Sequence, residues 1–308
     1  MCLTPFHCHV ALSVAKKKGV VRNSVFFIST GDAEKFFESS ITRLMNEGVS
    51  RRCVIKLGKK INIISYWPFV KYRKSVFYAA NIKMFYTRIV IRLIAPSKII
   101  TFDDGFANVS GGGYFYTKDE GKIKRLTLKL LGLPDYYSLV SMVEEHFTIY
   151  PELRNVYNVT DCVKLSYRNE SPGGSINANK WYGLVFVGSP LSESGLVDVN
   201  IEVEKIAEAV SNFDVPKLYL CHPRDGKEKI NLIRSRLPEL KIYQHDDIAE
   251  MFLIEEKNNI SAVVGFYSST LLNVLGEFPG AVYGKRINLK TSSVSYSNLI
   301  NLGVLVLD

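Results

Sequence analysis

The sequence has few of the features that mark secreted, metal-binding or membrane-spanning proteins. Its 308 residues include five cysteines, and no two of them form a Cys-x-x-Cys pair. Neither a disulfide framework nor a zinc site is therefore indicated. No basic-then-apolar signal segment opens the chain, and it contains no uncharged apolar run of about 18 residues or more. These absences predict a folded protein of the reducing cytoplasm.

Acidic residues are missing from Gly48 to Phe102, although this stretch contains twelve lysines and arginines. The whole chain has a net charge of +9, so the remainder is slightly acidic. A block of one sign can face nucleic acid, anionic lipid or an anionic acceptor, and most often it is only a solvated basic face. No recognisable nucleic-acid motif accompanies it, which argues against a nucleic-acid-binding protein.

Short apolar runs alternate with helical patterns in both halves of the chain. This is the rhythm of a parallel α/β sheet, and the length suits two domains of ordinary size. The rhythm restarts after a turn-rich stretch from Ser171 to Lys180. We therefore predict two Rossmann-like domains facing across a cleft, at residues 1–175 and 176–308.

Several predicted elements decide where the polar motifs lie. Strands are predicted at Ile61 to Ser65, Lys98 to Phe102, Tyr182 to Val187, Lys217 to Cys221 and Ala262 to Gly265. Helices are predicted at Val10 to Lys17, Ser75 to Leu93, Ile248 to Glu256 and Ser268 to Leu275. In open α/β sheets ligands bind beyond the carboxyl ends of the strands, so the residues that follow these strands are the site candidates.

Asp103 and Asp104 follow the strand at Lys98 to Phe102, and Gly105 allows a tight turn after them. One carboxylate could deprotonate an acceptor hydroxyl while the other orients it or the loop. Asp-Asp-Gly is also ordinary turn chemistry, so the motif by itself leaves both interpretations open.

His222 and Pro223 follow the strand at Lys217 to Cys221. The proline stiffens the chain, and a histidine held there can donate a proton or hydrogen bond to a leaving phosphate. The structural alternative is a histidine that satisfies a buried backbone carbonyl.

Hydroxyl residues and a glycine follow two further strands of the second half. Ser268, Ser269 and Thr270 open a helix, where they can act as N-cap residues or hold a phosphate. Gly188 and Ser189 follow another strand, where backbone can approach a ligand closely. The chain has no Asp-x-Asp motif of the sort that binds manganese in many nucleotide-sugar transferases, so we expect no metal.

Taken in order, these motifs resemble those of the bacterial sialyltransferases. Asp103-Asp104-Gly105, His222-Pro223 and Ser268-Ser269 stand where that superfamily has an Asp/Glu-Asp/Glu-Gly motif, a His-Pro motif and a later Ser/Thr pair. The start, Leu3-Thr-Pro-Phe-His7, is similar to the Thr-Pro-Phe-Gln type of start in the lipooligosaccharide sialyltransferase family, with histidine where that family often has glutamine.

The resemblance implies a GT-B architecture and an inverting, metal-independent transfer of sialic acid from CMP-sialic acid. The acceptor would be a hydroxyl of a terminal sugar, expected to be galactose, on a surface glycan such as lipooligosaccharide, O-antigen or capsule. One of Asp103 and Asp104 would be the general base, and His222 would stabilise or protonate the departing phosphate. The implied substrate-binding residues are Thr4, Pro5, Gly105, Gly188, Ser189, Pro223, Glu250, Ser268, Ser269 and Thr270.

No cofactor is expected beyond the donor substrate. Within the resemblance, Glu250 would contact the CMP ribose or base. Peripheral binding to the inner membrane through the basic stretch from Gly48 to Phe102 is a further hypothesis. The main alternative is a GT-B transferase with a UDP- or GDP-sugar donor, for which the same glycines and hydroxyls would serve.

Overall fold

The computed structural model describes residues 1–29, 34–57, 67–109, 115–116, 121–158, 160–165, 181–266, 268–275, 277–289, 300 and 303–307. The chain divides into two compact units, Met1–Ser166 and Tyr167–Asp308. Each unit has its own parallel strands and its own buried apolar core. The predicted boundary between residues 175 and 176 lies outside the described residues.

The first unit contains two parallel sheets. A small sheet pairs β1 (Phe26–Ser29) with β2 (Val54–Leu57), and Cys2 adds an isolated bridge to Ile28. The larger sheet has the order β3-β4-β5-β6, formed by Val76–Ala79, Lys98–Phe102, Val143–Thr148 and Thr160–Cys162. The helices α1 to α6 span Pro5–Lys17, Glu34–Asn46, Trp67–Val70, Phe85–Ile94, Lys122–Leu130 and Tyr136–Ser141.

The packing of α1 on β4 determines the geometry at the end of β4. Val10 and Val14 of α1 belong to one buried cluster with Ile100 and Phe102 of β4. The Ile-Ile-Thr-Phe run of β4 is buried throughout, as expected for a parallel strand covered on both faces. This packing holds the first turn of α1 near the residues that follow β4.

The second unit is a six-stranded parallel sheet with the order β12-β11-β10-β7-β8-β9. Its strands β7 to β12 span Gly183–Val187, Lys217–Leu220, Leu240–Tyr243, Ile260–Gly265, Ala281–Lys285 and Leu305–Leu307. The helices α7 to α10 span Val199–Ser211, Lys227–Arg236, Ala249–Glu255 and Ser269–Leu275. The chain runs outward from β7 to β9 and then returns to β10 on the other side of β7. The strand order therefore reverses between β7 and β10, which is where doubly wound sheets bind nucleotides.

The α/β class with parallel sheets is confirmed, but the helix predicted from Ser75 to Leu93 is wrong in its first half. That segment contains β3, a turn and then α4. The turn forms because the Asn81 side chain accepts hydrogen bonds from the backbone N–H groups of Lys83 and Met84, at 3.1 and 3.2 Å. Such local bonds compete with helix formation. The strand predicted at Ile61 to Ser65 lies outside the described residues.

Five elements of the first unit carry no sequence prediction, namely α3, α5, α6, β5 and β6. None of the helices in the described ranges combines the length and the hydropathy that a bilayer crossing requires.

Candidate active site

Asp103 and Asp104 are adjacent in sequence but lie in opposite environments. Asp103 is fully buried. Its Oδ2 accepts hydrogen bonds from the Thr148 hydroxyl at 2.8 Å and from the Ile149 backbone N–H at 2.7 Å. Its Oδ1 lies 2.9 Å from Nε2 of His146. Asp103 therefore ties the end of β4 to the end of β5, and its oxygens already have partners within the protein.

Asp104 keeps 24% of its side chain exposed. The Asn81 side-chain amide donates to Oδ2 at 2.7 Å, and Nε2 of His7 lies 2.6 Å from Oδ1. Gly105 follows in the left-handed region at φ +57°, which glycine adopts without strain. Of the two carboxylates, Asp104 is the one that is oriented by hydrogen bonds and also keeps part of its side chain exposed.

The environment keeps Asp104 ionised. Burial raises the pKa of the Asp104 carboxyl, but the interactions with His7 and the hydrogen bond from Asn81 outweigh it and hold that pKa below its ordinary value. At neutral pH the group is therefore a carboxylate that can accept a proton.

His7 is the residue that orients Asp104. The Leu3 backbone N–H donates to Nδ1 of His7 at 3.1 Å, so Nδ1 is the acceptor and Nε2 carries the proton towards Asp104. The Thr4 hydroxyl accepts the His7 backbone N–H at 3.2 Å and caps α1, and Pro5 occupies the first helical turn. Thr4 and Pro5 thus fix where α1 begins, and through it the place of His7.

We expect His7→Ala to move the acid limb of the kcat/KM profile to higher pH. The Asp104 pKa should rise because one stabilising partner is lost while the burial stays. We also expect kcat at neutral pH to fall roughly tenfold through poorer positioning. His7→Gln is the matched control, since its amide can still donate a hydrogen bond. An unshifted acid limb in His7→Ala would contradict this role.

His222 lies in a tight loop after β8. Its backbone N–H donates to Oδ2 of Asp225 at 2.8 Å, and its Nδ1 accepts the Arg224 backbone N–H at 3.1 Å. Nε2 is therefore the protonated nitrogen of the neutral ring. Burial, with the nearby charges of Arg224 and Lys229, lowers the pKa of His222 to about 4. At neutral pH His222 is an uncharged hydrogen-bond donor. Pro223 follows it and is exposed.

Gly188 lies against the same loop. A Cβ atom at this position would stand 2.8 Å from the Tyr219 hydroxyl, 2.9 Å from Oδ2 of Asp225 and 2.9 Å from the His222 backbone nitrogen. The Gly188 N–H also donates to the Leu220 carbonyl at 2.8 Å. The structure thus supplies a reason for glycine here that needs no ligand: the loops after β7 and β8 pack too closely for a side chain.

We expect Gly188→Ala to lower the free energy of unfolding by about 1–3 kcal/mol, because the added methyl group must displace the His222 loop. Gly226→Ala is the matched control, since its Cβ would meet only the Glu193 side chain, at 3.4 Å. Urea denaturation of the three proteins measures the difference. Equal stability of the two variants would contradict the close packing at Gly188.

A buried lysine that the sequence did not single out joins these loops. Lys229 of α8 is 1% exposed. Its ammonium donates to the Ser189 carbonyl at 2.7 Å and to Oε1 of Glu202 at 2.8 Å. It also lies 2.9 Å from Oδ1 of Asp225 and 3.0 Å from Oε2 of Glu193. Lys229 therefore ties the loop after β7 to the loop that carries His222.

The start of α10 follows β10. The Ser268 hydroxyl accepts the Thr270 backbone N–H at 3.2 Å, as a capping side chain does. Thr270 and Asn273 donate to Oε1 of Glu250 at 3.0 and 2.8 Å, so the buried Glu250 fastens α10 to α9. Ser269 is the first residue of α10 and is partly exposed.

Most of the residues predicted from sequence lie at the ends of neighbouring strands within their own unit, whereas Thr4 and Pro5 begin α1 and Glu250 lies on α9. In the second unit, Gly188 and Ser189 follow β7, His222 follows the adjacent β8, and Ser268 and Ser269 follow the adjacent β10. Among the described residues no group of three or more His, Cys, Asp or Glu side chains is placed to hold a metal ion.

Solved structures share the fold at low sequence identity. The GT-B domain of the sialyltransferase from Photobacterium damselae has a TM-score of 0.52 and 14% identity, covering 99% of this chain and 98% of that one. The S. aureus MnaA–UDP structure has a TM-score of 0.57 and 7% identity, over 94% and 79%. The UDP-GlcNAc 2-epimerase from Methanocaldococcus jannaschii has a TM-score of 0.52 and 11% identity, over 100% and 89%. These similarities concern the fold alone, and they confirm the predicted GT-B class.

Sequence comparison is more specific about the family. The CMP-N-acetylneuraminate:beta-galactoside alpha-2,3-sialyltransferase of Pasteurella multocida (strain Pm70) is 23% identical over 207 residues. The match covers 65% of this chain and 60% of that protein, so the chain spans less than two thirds of this relative's length. The family model of glycosyltransferase family 52 matches residues 22–291, a range that contains Asp104, His222 and Ser268. The chain therefore belongs to glycosyltransferase family 52.

Proposed function

We propose that this protein transfers sialic acid from CMP-sialic acid to a hydroxyl of a terminal sugar, expected to be galactose, on a bacterial surface glycan. Membership of glycosyltransferase family 52 and the name of the Pasteurella relative support this donor and this acceptor class. The observation that carries the proposal is the contrast between two adjacent carboxylates. Both carboxylate oxygens of Asp103 are engaged in hydrogen bonds within the protein. The Asp104 carboxylate, in contrast, is ionised, oriented by its partners and partly exposed.

In this proposal Asp104 is the general base that accepts the proton of the acceptor hydroxyl. His7 donates to Oδ1 and Asn81 to Oδ2, so the carboxylate is held in one orientation before the acceptor binds. Removal of the proton frees the acceptor oxygen to attack the anomeric carbon, and CMP leaves from the opposite face with inversion.

The leaving phosphate needs stabilisation of its negative charge. Sialic acid passes through an oxocarbenium-like transition state, so most of the developing charge appears on the CMP phosphate. His222 would donate a hydrogen bond to it from Nε2, and the hydroxyls of Ser268 and Ser269 would add two more. Fixed donors of this kind stabilise charge without a metal ion.

The strand order of the second sheet supports a proposal for where the nucleotide binds. Gly188 and Ser189 follow β7 and Ser268 follows β10, so these residues flank the reversal in the second sheet. We propose that CMP binds there, with Glu250 near its ribose or base. The bonds from Thr270 and Asn273 both fall on Oε1 of Glu250, and they would hold the carboxylate for that contact.

A donor screen tests the proposal. The purified protein is incubated with a galactoside acceptor and with CMP-sialic acid, UDP-GlcNAc, UDP-galactose or a GDP-sugar. We expect sialylated product and release of CMP only with CMP-sialic acid. Transfer from a UDP- or GDP-sugar alone would overturn the proposal and leave the family assignment intact.

Excess EDTA should leave the transfer rate within about twofold of its value in buffer, because His222 and the serine hydroxyls replace the role that Mn²⁺ or Mg²⁺ has in other transferases. The measurement is the initial rate with and without chelator. Recovery of a lost rate by added Mn²⁺ would contradict metal independence.

A peripheral association with the inner membrane belongs to the same proposal, since the acceptors are surface glycans that are built on lipids. A cytoplasmic location facing that membrane is the corresponding expectation.

A further inference from the structure

A group of charged side chains joins the loops that follow β7 and β8. The ammonium of Lys229 lies 2.7 to 3.0 Å from the Ser189 carbonyl and from carboxylate oxygens of Glu193, Glu202 and Asp225. Lys229 and Glu202 are buried, and Asp225 keeps only 2% of its side chain exposed. We call these four charged side chains the Lys229 network.

The network holds the backbone of both loops. In the loop after β7, Oε2 of Glu202 accepts the Ser192 backbone N–H at 2.9 Å. In the loop after β8, Oδ2 of Asp225 accepts the His222 backbone N–H at 2.8 Å. Because Lys229 contacts both carboxylates, a displacement of one loop must strain its contacts with the other.

Stability by itself is a poor explanation for this network. Taking charges out of water is costly, and a buried ion pair can often be replaced by apolar residues without loss of stability. Here one ammonium faces three carboxylates. Burial raises the pKa of the Asp225 carboxyl above its ordinary value, although Lys229 and the hydrogen bonds from His222 and Tyr219 act in the opposite direction. What the network does supply is a fixed geometry, since hydrogen bonds are directional.

The strand register brings both loops to the same level of the sheet. Val187 of β7 pairs with Leu220 of β8, so Ser189 and His222 each lie two residues beyond a paired position. These are the two residues between which the leaving phosphate is proposed to lie. A displacement of about 1 Å in a reacting group can lower a rate roughly 100-fold. The separation of the two loops therefore matters for the chemistry.

We propose that Lys229 is a positioning residue for the transfer reaction. Its ammonium holds the Ser189 carbonyl and the Asp225 carboxylate, and thereby sets the place of His222 relative to the loop after β7. This inference rests on the proposed function for the role of His222, and on the hydrogen bonds and ion pairs above for the role of Lys229. Lys229 itself is too deeply buried to touch the substrates.

A double-mutant cycle on the full chain tests the proposal. Lys229→Met is made in the wild-type protein and in His222→Ala, and kcat is measured with CMP-sialic acid and a galactoside. We expect kcat to fall roughly tenfold or more in the wild-type background but less than about twofold in His222→Ala, because no imidazole is left to position. An equal fold loss in both backgrounds overturns the proposal.

Asp225→Asn breaks one link of the network and decides the question if Lys229→Met does not fold. The amide oxygen can still accept the His222 N–H, whereas the amide NH₂ faces the Lys229 ammonium, donor against donor. The variant keeps the size of the side chain and removes one of three carboxylates, so we expect it to fold. Its kcat should fall roughly fivefold in the wild-type background and stay unchanged in His222→Ala. Unchanged kcat in the wild-type background overturns the proposal.

Lys285→Met is the matched control for the loss of a buried lysine. Lys285 is 2% exposed, and its ammonium lies 3.1 Å from Oε2 of Glu208 on α7, the helix that also carries Glu202. Both lysine variants should unfold at lower urea concentration, but kcat of Lys285→Met should stay within about twofold of wild type. The same loss of kcat in both variants would indicate general destabilisation and overturn the role of Lys229.

Hydrogen exchange tests the connection between the loops without any reaction. In Lys229→Met, the amides of residues 189–193 and 222–226 should both exchange at least roughly fivefold faster than in wild type. In Lys285→Met, exchange in both segments should stay within about twofold of wild type. Unchanged exchange of either segment in Lys229→Met would overturn the proposal.

This proposal and the enzymatic one can fail separately. Hydrogen exchange needs no substrate, and the double-mutant cycle can be run with whichever sugar nucleotide the protein uses. Transfer from a UDP-sugar alone, with Lys229 and His222 still coupled, would overturn only the donor assignment. Transfer from CMP-sialic acid, with additive effects of the two substitutions, would overturn only the positioning role of Lys229.

Discussion

Asp104→Asn is expected to lower kcat roughly 100-fold or more, because an amide cannot accept the acceptor's proton. The substitution keeps the size of the side chain, although its NH₂ group must face one of the two donors, Asn81 or His7, that bond to Asp104. Initial rates of CMP release with a galactoside acceptor measure the effect. The prediction assigns the base to one particular residue of the Asp-Asp-Gly motif, which the sequence could not do.

The same substitution one residue earlier is the matched control. Asp103→Asn places an amide NH₂ against donors in a buried site, where Asp103 accepts bonds from Thr148 and Ile149. We expect it to cost about 1–3 kcal/mol in the free energy of unfolding, the usual cost of an unsatisfied buried group. If Asp103→Asn abolished transfer in a fully stable protein while Asp104→Asn remained active, the assignment of the base would be reversed.

His222→Ala is expected to reduce kcat by roughly 100-fold or more through loss of the hydrogen bond to the leaving phosphate. The fold should persist, because His222 contacts Asp225 through its backbone N–H, which alanine retains. A donor with a better leaving group should recover part of the lost rate in the variant. Near-wild-type activity of His222→Ala would remove His222 from the mechanism.

The pH dependence separates hydrogen bonding from full proton donation by His222. Its pKa is lowered to about 4, so the free protein holds neutral His222 from about pH 5 upward. The Asp104 pKa is also held below its ordinary value, so both groups stay in one form through neutral pH. We therefore expect a flat kcat/KM between about pH 5.5 and 8, falling only in acid. A steady fall as pH rises through this range would show that protonated His222 is required.

Much of the second unit was predictable because its signals are local. The buried strands at Gly183–Val187 and Ile260–Gly265 are short apolar runs, and the helices between them have the helical period. The positions of Gly188, His222 and Ser268 at strand ends followed from those runs. The central strand Lys98–Phe102 of the first unit was predicted with the bounds that the structure shows.

The first unit shows where local signals were insufficient. Residues 75 to 93 have an apolar content that suits a helix. The Asn81 side chain, however, accepts hydrogen bonds from the backbone N–H groups of Lys83 and Met84, so a turn interrupts the predicted helix there. The strand Val143–Thr148 includes two glutamates and a histidine, so its sequence lacks the apolar run that would predict a buried strand. His146 was given no role from sequence, because its partners Thr101 and Asp103 lie more than 40 positions away in the chain.

The pairing of Asp104 with His7 and the burial of Lys229 also depend on contacts between residues that are far apart in the sequence. His7 and Asp104 are 97 residues apart, and Lys229 gathers a carbonyl and three carboxylates from separate segments. Nothing in the sequence near Lys229 distinguishes it from the neighbouring charged residues of α8. Only the folded structure shows that it is the one turned inward.

The sequence by itself determined the α/β class, the order of the motifs and their positions at the ends of parallel strands, because strand and turn preferences act between near neighbours. The tertiary structure decided which aspartate is accessible, which histidine orients it, why His222 is neutral and which lysine is buried. Those properties depend on hydrogen bonds and charges supplied by residues far apart in the chain, and folding alone brings them within a few ångströms of one another.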